Sequence, residues 1–121
     1  MDRLFIILGE TPFQSELVNH VYNIANTALE MNHEVSIFLF MDGVYNMLNT
    51  QSGENFKVKP SFEELQALID KGAKISCCRL CKELRGVTDS LISSDIITSG
   101  VALINDEIED SDVVLSFLGW S

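Results

Sequence analysis

The sequence predicts an α/β fold in which a mostly parallel sheet of about five strands is covered by helices on both faces. Two observations predict it: short apolar runs alternate with longer amphipathic segments, and the first apolar run, LFIILG, is continuous instead of alternating with polar residues. Continuous runs are typical of strands buried on both faces, as they are in parallel sheets. Because no repeat or Pro/Gly-rich linker interrupts this pattern, residues 1–121 are expected to form a single domain.

The first strand and the first helix are predicted from adjacent signals. Residues 4–9, LFIILG, form a continuous apolar run that ends in glycine. In the following TPFQ, Thr11 is the predicted N-cap, Pro12 the first helical residue, and Gln14 the partner of Thr11 in a capping box. The helix is expected to extend to about Met31, with a buried stripe formed by Leu17, Val18, Val21, Ile24, Ala25, Ala28 and Leu29.

The middle of the chain predicts a second strand, a loop and a capped helix. Residues 34–41 predict the strand, DGVYNML predicts a turn that leads into a short helix, and the polar residues 50–60 predict the loop. Ser61 and Glu64 predict another capping box, and Gly72 predicts the end of that helix.

The last part of the chain predicts three further strands. Residues 73–77 predict the third strand, and the next helix is expected to begin within the cysteines and to end at Gly86. VTDSLIS predicts a helical turn, DIITS a short strand, and GVALINDEIEDS a helix. The closing strand is predicted over residues 112–118, which completes the alternation of strands and helices.

Composition and charge limit the function. The formal net charge is −10, which disfavours nucleic-acid binding because phosphate contacts need clustered Lys and Arg. No apolar run approaches the roughly 20 residues of a membrane span. MDRLFIILGE has Asp2 before a short apolar run, so it is interpreted as a strand and not as a signal peptide. We therefore expect a cytoplasmic protein whose cysteines are reduced thiols.

All the cysteines lie in SCCRLCKELRG, at the predicted junction between the third strand and its helix. Ligands and chemistry in open parallel sheets lie beyond the carboxyl ends of the strands. A helix start favours thiolate over thiol, which makes Cys78 the candidate reactive thiol. Cys81 shares its helix face, whereas Cys77 is expected to point away and pack. Positive charge beside the two thiols is expected from Arg79, Lys82 and Arg85.

Several other chemistries are open to this cluster. Plain packing is the ordinary alternative, because cysteine is a common small buried residue. A metal site is disfavoured, since structural zinc takes four ligands and His20 and His33 lie elsewhere in the sequence. A thioredoxin-like dithiol would lack its proline partner, because Pro12 and Pro60 both precede the cysteines. The first βα turn, GETPF, matches no nucleotide-binding glycine motif, so no cofactor is expected.

A thiol that takes up sulfur and hands it on fits the cluster best. Such a carrier needs a cysteine of low pKa at an exposed rim, and a second cysteine three positions on could release the sulfur. The same residues resemble a known family: KISCCRLCKELRGV is similar to the C-x-x-C-x-x-x-R-G segment of DsrE/DsrF-like proteins, which include the TusBCD sulfur-relay subunits. FLFMDGVYNML and GVALINDEIEDSDVVLSF resemble that family's second strand with its turn and its closing helix and strand.

The resemblance implies a three-layer αβα domain of flavodoxin-like arrangement that assembles into trimers or hexamers. It also implies a sulfur relay whose sulfur-bearing cysteine lies seven residues before the Arg of Arg-Gly, which here is Cys78, with Cys81 as an auxiliary or resolving thiol. Sulfur donor and acceptor are expected to be other proteins or a small persulfide. The alternatives are a non-catalytic interaction subunit of the same fold and a C-x-x-C redox switch. Candidate subunit contacts, for each of which ordinary packing is the preferred interpretation, are Phe13, Tyr45, Phe56 and Trp120.

Overall fold

The structure is a computed structural model that describes residues 2–118 and contains an all-parallel five-stranded sheet in the order β4-β3-β2-β1-β5. The strands are β1 (Arg3–Leu8), β2 (Glu34–Leu39), β3 (Lys74–Cys78), β4 (Ile97–Ser99) and β5 (Val113–Phe117). The helices are α1 (Leu17–Glu30), α2 (Ser61–Asp70), α3 (Arg79–Leu84) and α4 (Ala102–Asp110). Short 3-10 segments cover Met41–Met47, Glu54–Phe56 and Asp89–Leu91.

The predicted fold class is confirmed, because helices flank both faces of a parallel sheet. Strands β1, β2 and β3 are neighbours in the sheet in that order. Because the connections between parallel strands are right-handed, α1 and α2 lie side by side on the same face. The chain returns from β4 to β5 at the other edge, which places α4 on the opposite face against β1. The strand order differs from the 2-1-3-4-5 order of flavodoxin. The two folds therefore share the three-layer αβα arrangement but not the order of the strands.

The first helix begins later than predicted, at Leu17. Phe13 has a φ of 66°, which lies in the left-handed region and cannot be part of an α-helix. The predicted capping box is therefore wrong, and Thr11, Pro12 and Gln14 instead lie in the irregular segment that precedes the helix. The helix's buried stripe is confirmed at Val18, Val21, Ala25 and Ala28. Ile24, however, is exposed, and Tyr22 is buried in addition.

The second predicted capping box is also wrong, although α2 begins at Ser61. The Ser61 hydroxyl is buried, donates to Asn46 Oδ1 at 2.8 Å and contacts the Tyr22 hydroxyl. Asn46 Nδ2 in turn donates to the backbone carbonyls of Glu10 and Gly43, both at 2.9 Å. Buried polar groups need hydrogen-bond partners, and this network ties α1, α2 and the 41–47 segment together at the carboxyl ends of β1 and β2.

The aromatic residues considered as subunit contacts have different environments. Phe13 and Phe56 are 65% and 80% exposed, so the preferred packing interpretation is wrong for both. Tyr45 is half-buried and packs against the core, as preferred. Trp120 lies outside the described residues.

A buried carboxylate links α4 to the sheet at the end opposite the cysteines. Glu107 is buried, and its two oxygens lie 3.2 Å from Arg3 Nη2 on β1 and 3.0 Å from Lys74 Nζ on β3. We call these three residues the Glu107 cluster. A buried ion needs partners to offset its desolvation, so the cluster fixes where α4 sits on its face of the sheet.

Among the described helices, none has the length and apolarity to cross a membrane.

Candidate functional site

The third strand ends one residue later than predicted, at Cys78, so that Cys77 and Cys78 point to opposite faces of the sheet. Cys77 lies in register with Leu39 and Thr98 on the neighbouring strands. It is fully buried, and its Sγ lies 3.6 Å from Thr98 Oγ1. Cys77 is therefore packed in the core, as expected.

Cys78 is both the last residue of β3 and the N-cap of α3. Its φ and ψ of −75° and 122° are still extended, and its Sγ accepts the Cys81 N–H at 3.4 Å. The sulfur thus occupies the place of the side-chain oxygen that usually caps a helix. Because α3 has only six residues, its helix dipole is short. The main polar contact of the Cys78 sulfur is therefore this single N–H.

The Cys81 sulfur has an amide partner of its own, from a different part of the chain. Cys81 Sγ accepts the backbone N–H of Met41 at 3.2 Å. Met41 lies two residues after the end of β2 and has a φ of 53°, in the left-handed region that non-glycine residues seldom adopt. Each sulfur of the C-x-x-C pair thus accepts one backbone N–H, and the two donors come from different parts of the chain.

The three predicted cations do not form one group beside the thiols. Arg85 Nε donates to Asp42 Oδ1 at 2.9 Å, and Arg85 Nη1 donates to the Cys81 carbonyl at 3.2 Å. Lys82 is buried, and its Nζ lies 2.8 Å from Asp89 Oδ1. Two of the three cations are therefore each paired with a carboxylate. Arg79, the third, is exposed at the start of α3.

The expected exposure of the site is also wrong for the isolated chain. Cys78 and Cys81 are 1% and 5% exposed, respectively. Burial raises the pKa of Cys81, as does its hydrogen bond with Cys78, while the Met41 amide and Arg85 oppose the rise. Burial likewise raises the pKa of Cys77, against the effects of Thr98 and Lys82. The thiols are covered because α3 turns back against the 41–47 segment, a tertiary contact with no local sequence signal.

Stability is expected to fall at alkaline pH because of these buried acids. Burial raises the pKa of Cys77 and Cys81 above the ordinary 9.0, and that of Tyr22 well above 10.0. Above pH 9.0 the unfolded chain loses these protons more readily than the folded chain, so the stabilisation is complete below that pH and is lost as pH rises. Urea unfolding of the reduced protein between about pH 7 and 11 measures this. A Tyr22→Phe variant should lose less stability above about pH 10, whereas an equal loss in both proteins would contradict the assignment to Tyr22.

Sequence reasoning missed the acidic partners and the amide donor of the site. Asp42 lies in DGVYNML, which predicts only a turn, and its partner Arg85 is 43 residues away in the sequence. No sequence pattern indicated Asp89 or the Met41 N–H as part of the site.

No group of three or more His, Cys, Asp or Glu within residues 2–118 is arranged to hold a metal ion.

The fold and the site together define a class: a three-layer α/β protein with a C-x-x-C pair at the carboxyl end of an inner parallel strand. The profile of the DsrE/DsrF-like family matches residues 2–117. The chain belongs to this family.

Proteins similar to this chain come from several organisms. An uncharacterized protein of Methanopyrus kandleri is 27% identical over 118 residues, which cover 97% of this chain and 95% of that protein. An uncharacterized protein of Methanocaldococcus jannaschii is 31% identical over 116 residues, which cover 93% of this chain and 96% of that protein. The crystal structure of the ychN protein from E. coli has a TM-score of 0.87 at 20% identity, covering 97% of this chain and all of that chain. This last similarity shows the fold.

Proposed function

We propose that this protein is a sulfur carrier in which Cys78 holds a persulfide and Cys81 is the auxiliary thiol. The supporting observation is that Cys78 Sγ receives a backbone N–H at the end of β3. Cys78 also lies seven residues before the Arg of Arg85-Gly86, a spacing that resembles that of the sulfur-bearing cysteine in sulfur-relay members of the family. The proposal includes a single domain over residues 1–121, a cytoplasmic location, no bound cofactor, and a homo-oligomer such as a trimer or hexamer.

The loading reaction is an exchange of one sulfur–sulfur bond for another. The Cys78 thiolate attacks the outer sulfur of a donor persulfide, R–S–SH. A new bond forms between Cys78 Sγ and that sulfur, the donor's S–S bond breaks, and the donor leaves as the thiolate R–S⁻. The same exchange in reverse, with an acceptor thiolate as nucleophile, hands the sulfur on, so no external oxidant or reductant is needed.

The protein residues have distinct parts in this proposal. The Cys81 N–H stabilises negative charge on Cys78, both as thiolate and as persulfide. Arg79 is exposed beside Cys78 and is available to an incoming anionic donor. Lys82 and Arg85 support the site through their pairs with Asp89 and Asp42. Because Cys78 is almost completely covered, loading requires a local opening or a donor that displaces its cover.

Sulfur uptake by the reduced protein tests this proposal. After incubation with a small persulfide donor, the intact mass of the wild-type protein is expected to rise by about 32 Da, the mass of one sulfur atom. Cys78→Ser should lower this uptake by about tenfold or more, because the attacking thiolate is gone. Cys77→Ser is the matched control and should retain uptake, since Cys77 faces the other side of the sheet. Uptake by Cys78→Ser at the wild-type rate would refute the assignment.

A second candidate function is a non-catalytic interaction subunit of the same fold. It is favoured by the burial of the thiols and by exposed apolar side chains on the elements around them, namely Met41, Leu80, Leu84 and Val101. Comparing iodoacetamide labelling in the folded and denatured protein separates the two functions. Labelling of Cys78 and Cys81 only after denaturation, together with no sulfur uptake, would favour the interaction subunit. Light scattering would give the oligomeric state in either case.

A further inference from the structure

The turn that donates an amide to Cys81 is held in an unusual conformation by contacts on both sides. Toward the sheet, the Phe40 N–H donates to the Leu8 carbonyl at 2.9 Å, and the Gly43 N–H donates to the Phe40 carbonyl at 2.8 Å. Between these anchors, Met41 adopts its φ of 53°, which is unfavourable for a residue with a side chain. Such backbone strain persists only where the surrounding contacts impose it.

Toward α3, the turn is held by one side chain that bridges it to the thiol. Arg85 donates from Nε to Asp42 Oδ1 at 2.9 Å and from Nη1 to the Cys81 carbonyl at 3.2 Å. Asp42 is adjacent to Met41 in the chain, and Cys81 is the residue whose sulfur receives the Met41 N–H at 3.2 Å. Arg85, Asp42, Met41 and Cys81 therefore form a closed ring of contacts, which we call the Arg85 bridge.

We propose that Asp42 and Arg85 are positioning residues for the Cys81 thiol: their ion pair holds the Met41 N–H on Cys81 Sγ. This deepens the proposed function, since it gives the auxiliary thiol a built hydrogen-bond donor. Arg85 then acts mainly through geometry, because its charge is already compensated by Asp42. The planar guanidinium suits this task, since it presents two donors in fixed directions, which a lysine ammonium does not.

A purely electrostatic role makes the opposite prediction for Asp42. The titratable groups that act on Cys81 are Cys78 on β3 and Arg85 on α3, and those that act on Arg85 include Asp42 and Tyr45 on the 41–47 segment. If only charge mattered, removing the Asp42 carboxylate would leave Arg85 uncompensated and would make Cys81 easier to ionise. If position matters more, the same change releases the Met41 N–H and makes Cys81 harder to ionise.

The pH dependence of Cys81 alkylation in the full-length protein distinguishes these roles. Iodoacetamide labelling of Cys81, read by peptide mass spectrometry across a pH series, gives a midpoint for its ionisation. For Asp42→Asn we expect this midpoint to rise by about one pH unit. At any pH well below the midpoint, the variant would then hold about tenfold less Cys81 thiolate than the wild type. The midpoint is the readout because opening of the turn also changes access and hence the maximal rate.

Two further variants complete the experiment. Arg85→Lys keeps the positive charge but loses the two-way bridge, so it should raise the midpoint as Asp42→Asn does. Glu64→Gln is the control, because it removes a carboxylate from an ion pair outside the site, Lys59 to Glu64, and should leave the Cys81 midpoint unchanged. An unchanged or lowered midpoint in Asp42→Asn would overturn the proposal. The measurement reads the thiol and not sulfur transfer, so it can fail or succeed independently of the proposed carrier function.

Discussion

Gly43→Ala is expected to lower the free energy of unfolding by about 3 kcal/mol, because the new methyl group has no space. An ideal Cβ at Gly43 would lie 1.9 Å from the Leu8 carbonyl oxygen and 2.8 Å from the Leu8 carbonyl carbon. Both are backbone atoms of a central strand, and the Phe40 N–H donates to the same oxygen at 2.9 Å. Neither a rotamer change nor a small side-chain shift can relieve this contact.

Gly100→Ala provides the matched control for this prediction. A Cβ at Gly100 would meet no atom within 4 Å, and Gly100 does not have a positive φ. We therefore expect its free energy of unfolding in urea to change by less than about 1 kcal/mol. Similar effects of the two substitutions would mean that the close approach of Gly43 to Leu8 is not what restricts this position. Because the 41–47 segment donates the Met41 N–H to Cys81, Gly43→Ala should also raise the ionisation midpoint of Cys81.

The second large effect is expected when both cations of the Glu107 cluster are removed. Arg3→Met with Lys74→Met should lower the free energy of unfolding by about 3–5 kcal/mol, because a buried carboxylate is left without a partner. The Glu107 side chain is only 4% exposed, whereas the side chains of Arg3 and Lys74 are 30% and 43% exposed. Glu107→Leu should cost less than the double variant, since the two cations can be rehydrated by water.

The combined and control variants make the comparison specific. Adding Glu107→Leu to the double variant should recover much of the lost stability, because replacing a whole buried ion group with apolar residues is often neutral. Lys59→Met is the surface control, since its pair with Glu64 spans 3.6 Å between partly exposed side chains and should be worth less than about 1 kcal/mol. Urea unfolding measures all of these variants. A double variant no less stable than Glu107→Leu would show that the carboxylate does not depend on its two partners.

The parts of the fold that follow local rules were predictable. Continuous apolar runs gave the strands, and Gly72 and Gly86, with φ values of 108° and 70°, end α2 and α3 as the C-terminal glycine rule predicts. The position of Cys78 at a strand–helix junction was also predictable, because it depends only on where the apolar run stops and the helical pattern begins. The two capping boxes had suitable residues but failed, since Phe13 breaks one helical turn and the hydroxyl of Ser61 is used in the core.

The sequence alone determined the class of the fold and the position of the thiols along it, because hydrophobic periodicity and turn residues act over a few neighbouring positions. The tertiary structure alone decided how the thiols are surrounded. It brings Met41 and Asp42 from the end of β2 to Cys81 and Arg85, and it covers Cys78. Contacts between distant segments, and the burial that they cause, depend on the order of the strands in the sheet. That order cannot be predicted from patterns among neighbouring residues.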